Sequence, residues 1–378
     1  MFLFERLFGI STYMLVLIFV CLLLVKTNVS CKSVFRFYLL CLCIMAFFYK
    51  PYVTGDLYRI FEQMDYFASM DFNLFWKNFA LESSTPVARL LFWIFGKIGV
   101  HSLLPAFSAF FCYSLIFYII QKTKQLYDIS NRTVAIVTFF MMTTSMYISV
   151  IGGIRMMVAL SMVTFSFFRA NVEKKIRLAD ILFFISSILI HAMSFVVIGV
   201  IALSLLSDSQ TKASQKAGYV LAIGIIGAVF IFKFSDTIRG VYQKFLDYVW
   251  GDKYSDPWEY VMGAIIIIAL LLVFSEFHHV RRTGDYSKIC KCNSAAIYCV
   301  VLALCFFFEF SIFYRFGGHL AVLFSIPSMM VSLEKTKGRS SSLIKGIDLR
   351  TLVILLSCII AAVSCTRGSL CSLKFFEL

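Results

Sequence analysis

Charged and titratable side chains inside apolar sequence are the places to look for chemistry in this chain. Five places qualify. Gly55-Asp56-Leu57-Tyr58-Arg59 opens a long polar segment, and Gly152-Gly153-Ile154-Arg155 joins two apolar runs. His191 interrupts Ile-Leu-Ile-His-Ala-Met-Ser-Phe, Glu309 stands within Phe306–Phe310, and Tyr314-Arg315-Phe316-Gly317-Gly318-His319 forms a later turn. A charge at membrane depth is costly enough to count as a functional hypothesis. Each also has a bland reading: an arginine snorkelling to headgroups, a structural histidine, Glu309 neutralising an arginine, Asp56 capping a helix. Arginine forks bind phosphate oxygens in pairs, so several arginines with few acids point to a phosphorylated ligand. Paired glycines beside Arg155 and Arg315 would let backbone come close to it.

The elements that must position these residues are membrane helices. The chain has 378 residues, 60% of them hydrophobic and 15% charged, with a mean hydropathy of +0.87. Soluble domains are about 45–50% apolar and about 25% charged. Runs such as Val261–Phe274 do not alternate as outer-membrane barrel strands do, so the spans are helical. Apolar runs fall at 10–25, 34–49, 103–120, 133–150, 154–169, 178–190, 192–206, 218–233, 260–275, 295–314, 319–333 and 351–366. They predict an all-α polytopic membrane protein of about 10–12 transmembrane helices, with 1–378 as one integral membrane domain. Ile10–Val25 reads as a retained helix rather than a cleaved signal. Thr85–Gly99, which carries Arg89 and Lys97, reads as interfacial or re-entrant.

Loop charge sets the orientation. Loops 26–36, 121–132, 169–178, 207–217, 276–293 and 334–350 hold 21 Lys and Arg against seven acids; the opposite set holds 12 of each. The basic set should face the cytoplasm, provided that 178–206 crosses twice and turns near His191. Two long loops, 50–86 and 233–259, then lie outside and are expected to carry short amphipathic helices. In the first, Leu57, Ile60, Phe61, Met64, Phe67 and Ala68 recur at helical spacing, which predicts a helix lying on the membrane surface. Asp56, Arg59, Arg155, His191, Arg315 and His319 all fall at this outward interface.

Other chemistries lack their signatures. There is no phosphate-binding G-x-x-x-x-G-K-[ST] loop, D-x-D run, H-E-x-x-H or G-x-S-x-G elbow. The net charge of +14 follows from loop lysines and arginines, not from a nucleic-acid stripe. Most cysteines sit in apolar runs as small hydrophobes, Cys290 and Cys292 have no second pair nearby, and His278-His279 lacks metal-ligand spacing. No metal, cofactor or nucleic-acid partner is expected.

Gly55, Asp56 and Tyr58 opening the first outward loop, Gly153-Ile154-Arg155 entering a span, the apolar segment broken at His191, and Tyr314-Arg315-Phe316 together resemble the Wzy/EpsG-type polymerases of bacterial surface polysaccharide. Size, span number and the two long loops are similar. The family's usual spacing places a residue between Gly and Asp, from which Asp56 departs. The resemblance implies an O-antigen polymerase of the bacterial inner membrane: a glycosyltransferase, independent of metal, that joins oligosaccharide units carried on undecaprenyl diphosphate at the periplasmic face. It implies the bilayer, a chain-length regulator and a flippase as partners. On this reading Arg155, Arg315 and Arg59 bind the diphosphate, His191 or Asp56 is the base, and Tyr58, His319 and Glu309 touch substrate. A lipid-linked oligosaccharide flippase or other transporter and an O-antigen ligase are the alternatives. Transporters often carry inverted repeats, and none is evident here.

Overall fold

The computed structural model describes residues 2–26, 29–53, 55–144, 146–173, 177–206, 257–307, 313–336, 347–366 and 373–375. The apolar run 218–233, most of loop 233–259, and Glu309 lie outside the described residues. Among those described, the ordered elements are helices, with no β-strand. Helices α1 (Phe2–Lys26) and α2 (Cys31–Phe47) precede a short helical excursion made of α3 (Asp56–Ala68), α4 (Phe72–Phe75), a wide π turn (Trp76–Ala80) and α5 (Pro86–Ile98). Then come α6 (Leu103–Tyr127), α7 (Asn131–Thr143), α8 (Met146–Gly152), α9 (Ile154–Glu173), α10 (Leu178–Ile190) and α11 (Met193–Leu206). After 256 follow α12 (Pro257–Val280), α13 (Ser287–Cys305), a second π turn (Tyr314–Leu320), α14 (Ala321–Lys335) and α15 (Leu349–Thr366).

This is a multi-pass membrane protein. Among the described residues, six helical segments are long and apolar enough to cross a bilayer: Leu7–Lys26, Leu103–Tyr127, Tyr260–Val280, Ser287–Cys305, Tyr314–Lys335 and Leu349–Thr366. Helices α7 and α8 together would make a seventh, bent by 55°. Tyr314–Lys335 is buried along its whole apolar window and packs on α6, α7, α9, α12, α13 and the second π turn within it; it is the central post. The outer helices turn Leu15, Ile18, Leu22, Leu40, Ile44, Ile268, Leu271, Leu355 and Ile359 outward, as lipid-facing surfaces do. Helices α10 and α11 both pack on α9 and are separated by a break at His191; at 13 and 14 residues each is shorter than a full span.

Two expectations need correction. Leu57, Ile60, Met64 and Phe67 of α3 are buried as predicted, but this apolar face covers α5 instead of lying on the bilayer. Gly96 explains the closeness: a Cβ there would run into the Met64 carbonyl and crowd Ala68. Beside it, Trp93 of α5 stacks on Phe75 of α4 and meets Phe72 edge-on.

The run 133–150 is not one straight helix either. Thr143 Oγ1 donates to the Phe140 carbonyl (2.8 Å) and Thr144 Oγ1 to that of Met141 (2.7 Å), back-bonding that competes with the helix ladder. The carbonyls released at the break are taken up by other segments. Tyr13 Oη donates to Met142 O at 2.8 Å, Ser364 Oγ to Thr143 O at 3.3 Å, and Tyr314 Oη to Thr144 O at 2.7 Å. Irregular backbone is tolerated at membrane depth where protein groups satisfy it in this way.

The polar residues gather at two ends. At one, Glu334 meets Ser130, Thr133 and Arg350, and Tyr127 stacks near Tyr286. Arg169 pairs with Asp180 at 3.1 Å, about 21 Å along α9 from Arg155 at 1.5 Å per residue. The other end holds Asp56, Arg155, His191 and Arg315. The loop charges predict that the first end is cytoplasmic. A single cysteine at Val53, which is 71% exposed, should label with an impermeant maleimide from outside the cell. One at the exposed Arg282 should label after the cells are opened. The reverse pattern would invert the topology.

Candidate functional site

A cleft of about 220 Å³ opens between the start of α3 and the α8–α9 junction. Tyr49, Pro51, Tyr52, Gly55, Asp56 and Leu57 form one wall; Ile148, Ser149, Gly152, Gly153 and Met156 form the other. Two of the stretches singled out in the sequence therefore face each other. Asp56 is the first residue of α3 and Gly55 is the N-cap, with no side-chain capping bond. The carboxylate is thus not spent as a cap. It sits in the favourable field of the helix start, is exposed, and lies 3.8 Å from Arg59. A Cβ on Gly152 would meet nothing within 4 Å, so bare backbone borders open space there. Tyr58 is half-buried on the same turn and Arg59 is exposed.

His191 occupies the break between α10 and α11, with extended backbone (φ −152°, ψ 125°). Its N–H donates to Ser187 O at 3.0 Å. Its Nδ1 accepts from the Met193 N–H at 3.1 Å, which places the proton of the neutral ring on Nε2. Burial first, then the positive charges of Arg315 and Arg155, hold its pKa down at about 4. The ring is therefore neutral at physiological pH and offers a hydrogen-bond donor.

Arg89 joins this group. It is half-buried on α5 and donates through Nη1 to Phe79 O at 2.9 Å. Burial and then the charge of Arg155 lower its pKa, against the opposing pull of Glu82. Arg155 thus sits within the field of both His191 and Arg89, and Arg315 within that of His191. No salt bridge among the described residues reaches Arg155 or Arg315. Like charges gathered together repel one another unless an anion joins them. Sequence reading noted Arg89 but assigned it no role; its signal was an arginine on an otherwise apolar helix.

The second π turn carries Tyr314, Arg315 and His319. Arg315 is exposed. His319 is 2% exposed, and its Nε2 lies 2.8 Å from Ser149 Oγ. Its ring meets Tyr314 edge-on, with centroids 4.8 Å apart. Gly317 and Gly318 do not border a ligand space as expected. Added Cβ atoms there would meet Ile267 and Ala303, or the Tyr314 ring; they are small because α12, α13 and Tyr314 pack against them. Ser149 was missed entirely, since no local motif marks it.

Among the described residues, no three His, Cys, Asp or Glu side chains gather as a metal site. No protein-family model, curated protein or solved structure matches the chain.

Proposed function

We propose that this membrane protein is a polysaccharide polymerase. In this reading it joins oligosaccharide units carried on a polyprenyl diphosphate at the outer face of a bacterial inner membrane. The observation that carries this reading is the pair Arg155 and Arg315 around His191, with Arg89 in the field of Arg155, next to a cleft bordered by a carboxylate and bare glycine backbone. The growing chain is the donor and a hydroxyl of a fresh lipid-linked unit attacks its anomeric carbon. The bond to the diphosphate oxygen breaks, and the arginines meet the charge that develops on the leaving group. His191, with its proton on Nε2, suits donation to a phosphate or sugar oxygen better than the role of base. Asp56, at the cleft wall beside Arg59, accepts a hydrogen bond from the acceptor sugar.

Deleting the gene in the native bacterium should leave surface glycan of a single repeat unit in place of a ladder of chain lengths. Loss of all such glycan would favour a flippase, and polymer left unattached to its anchor would favour a ligase; either outcome overturns the proposal.

A further inference from the structure

We propose that Ser149 is a catalytic residue of the same site, the group through which the buried His319 reaches the substrate; this rests on the polymerase reading. The two side chains come from segments 170 positions apart and share a 2.8 Å hydrogen bond. Ser149 is half-buried and lines the 220 Å³ cleft with Asp56, Gly152 and Gly153. His319 lies behind it and is 2% exposed. An imidazole so placed exchanges protons with the cleft through its neighbour's hydroxyl.

The two histidines differ in what holds them. His191 Nδ1 is occupied by the Met193 N–H. His319 Nδ1 has no hydrogen-bond partner among the described residues, so nothing there prevents Nε2 from being the accepting nitrogen. A buried orphan of this kind is rare in native structures and calls for an explanation. The break between α7 and α8 supplies the positioning. Tyr314 Oη bonds Thr144 O at 2.7 Å and the Tyr314 ring abuts His319. The segment presenting Ser149 and the turn presenting His319 are thereby locked together.

The step balances as a proton relay. As the acceptor oxygen bonds to the anomeric carbon, its proton passes to Ser149 Oγ and the serine's own proton passes to His319 Nε2. The anomeric carbon–oxygen bond to the diphosphate breaks with its electron pair going to the leaving group, and the imidazolium later returns its proton to water.

The test uses the full chain in proteoliposomes, fed with lipid-linked repeat units extracted from the native cell envelope. General-base catalysis contributes about 100- to 10,000-fold. Ser149→Ala should therefore slow chain elongation at least about 100-fold with the KM for lipid-linked unit little changed, while Ser149→Thr retains activity. Should Ser149→Ala fail to accumulate in the membrane, Ser149→Gly, which also lacks an exchangeable proton, decides by the same rate and KM. A variant without the hydroxyl, Ser149→Ala or Ser149→Gly, that elongates within threefold of wild type overturns the relay. If wild-type protein elongates chains in that preparation, the polymerase reading survives the failure of the relay; if wild-type protein makes no chains from lipid-linked units there, the polymerase reading itself falls.

Discussion

Arg155→Ala is expected to reduce chain elongation about 100- to 1000-fold, the loss seen when one preorganised donor to a developing oxyanion is removed, with the protein still present in the membrane. Arg315→Ala should behave alike. Arg155 lies at the α8–α9 junction beside Gly152 and Gly153, and its charge reaches both His191 and Arg89. Arg155→Lys should recover the rate in part, because an ammonium keeps the charge but not the two-pronged geometry. The substitution relieves repulsion among the cations and so should not cost stability. A fall in activity with an unchanged melting temperature therefore separates a ligand-binding role from an anchoring one. Chain-length ladders on gels provide the first measurement and thermal unfolding in detergent the second. Normal ladders from both alanine variants would reduce these arginines to span-end anchors.

The largest loss of stability should come from the opposite end. Glu334 Oε2 accepts from Ser130 N (3.1 Å), Ser130 Oγ (2.7 Å), Thr133 Oγ1 (2.6 Å) and Arg350 Nη2 (3.1 Å). Arg350 also donates to Leu333 O at 2.8 Å and Thr133 Oγ1 at 2.8 Å. The Arg350 and Glu334 side chains are 7% and 16% exposed. Arg350→Met fills similar space but takes the positive partner from a carboxylate that keeps only its bonds from Ser130 and Thr133, a loss bounded above by the about 3–5 kcal/mol of a fully buried pair. Replacing both partners, Glu334→Gln with Arg350→Met, should recover most of that loss, because no buried charge is then left alone. A double variant as unstable as the single one would show that the arginine's packing, and not its charge, holds α7, α14 and α15 together.

The sequence was informative wherever hydropathy or periodicity carried the signal. The apolar runs that fall among the described residues are helices, His191 fell at a break between two of them, and the buried face of α3 consists of residues read at helical spacing. Hydropathy does not say what an apolar face will meet, so α3 was expected on the bilayer when Gly96 lets it settle on α5. Nor does hydropathy register hydroxyl back-bonding, so the bend at Thr143–Thr144 was invisible in an apolar run. For the candidate site, the stretches around Asp56 and Gly153 do border one cleft, and the charges of Arg155 and Arg315 do reach His191. Ser149 and Arg89 acquire their surroundings from segments distant in the chain, and no local spacing announces such pairings. The glycines after Arg315 misled for a similar reason: a glycine that admits a ligand and one that admits a neighbouring helix look the same in sequence.

The break after α7 has a consequence for biosynthesis. Its carbonyls are satisfied by Tyr13 from the first helix, Tyr314 from the central post and Ser364 from the last. Ribosomal output is vectorial, so α7 and α8 enter the bilayer while two of these three hydroxyls are still untranslated. Until the final helix arrives, the nascent α7 end must borrow water or lipid headgroups as partners. The break at Thr143–Thr144 therefore completes its set of partners only once α15 is in place, and a product cut short before Ser364 would leave the Thr143 carbonyl without its hydroxyl.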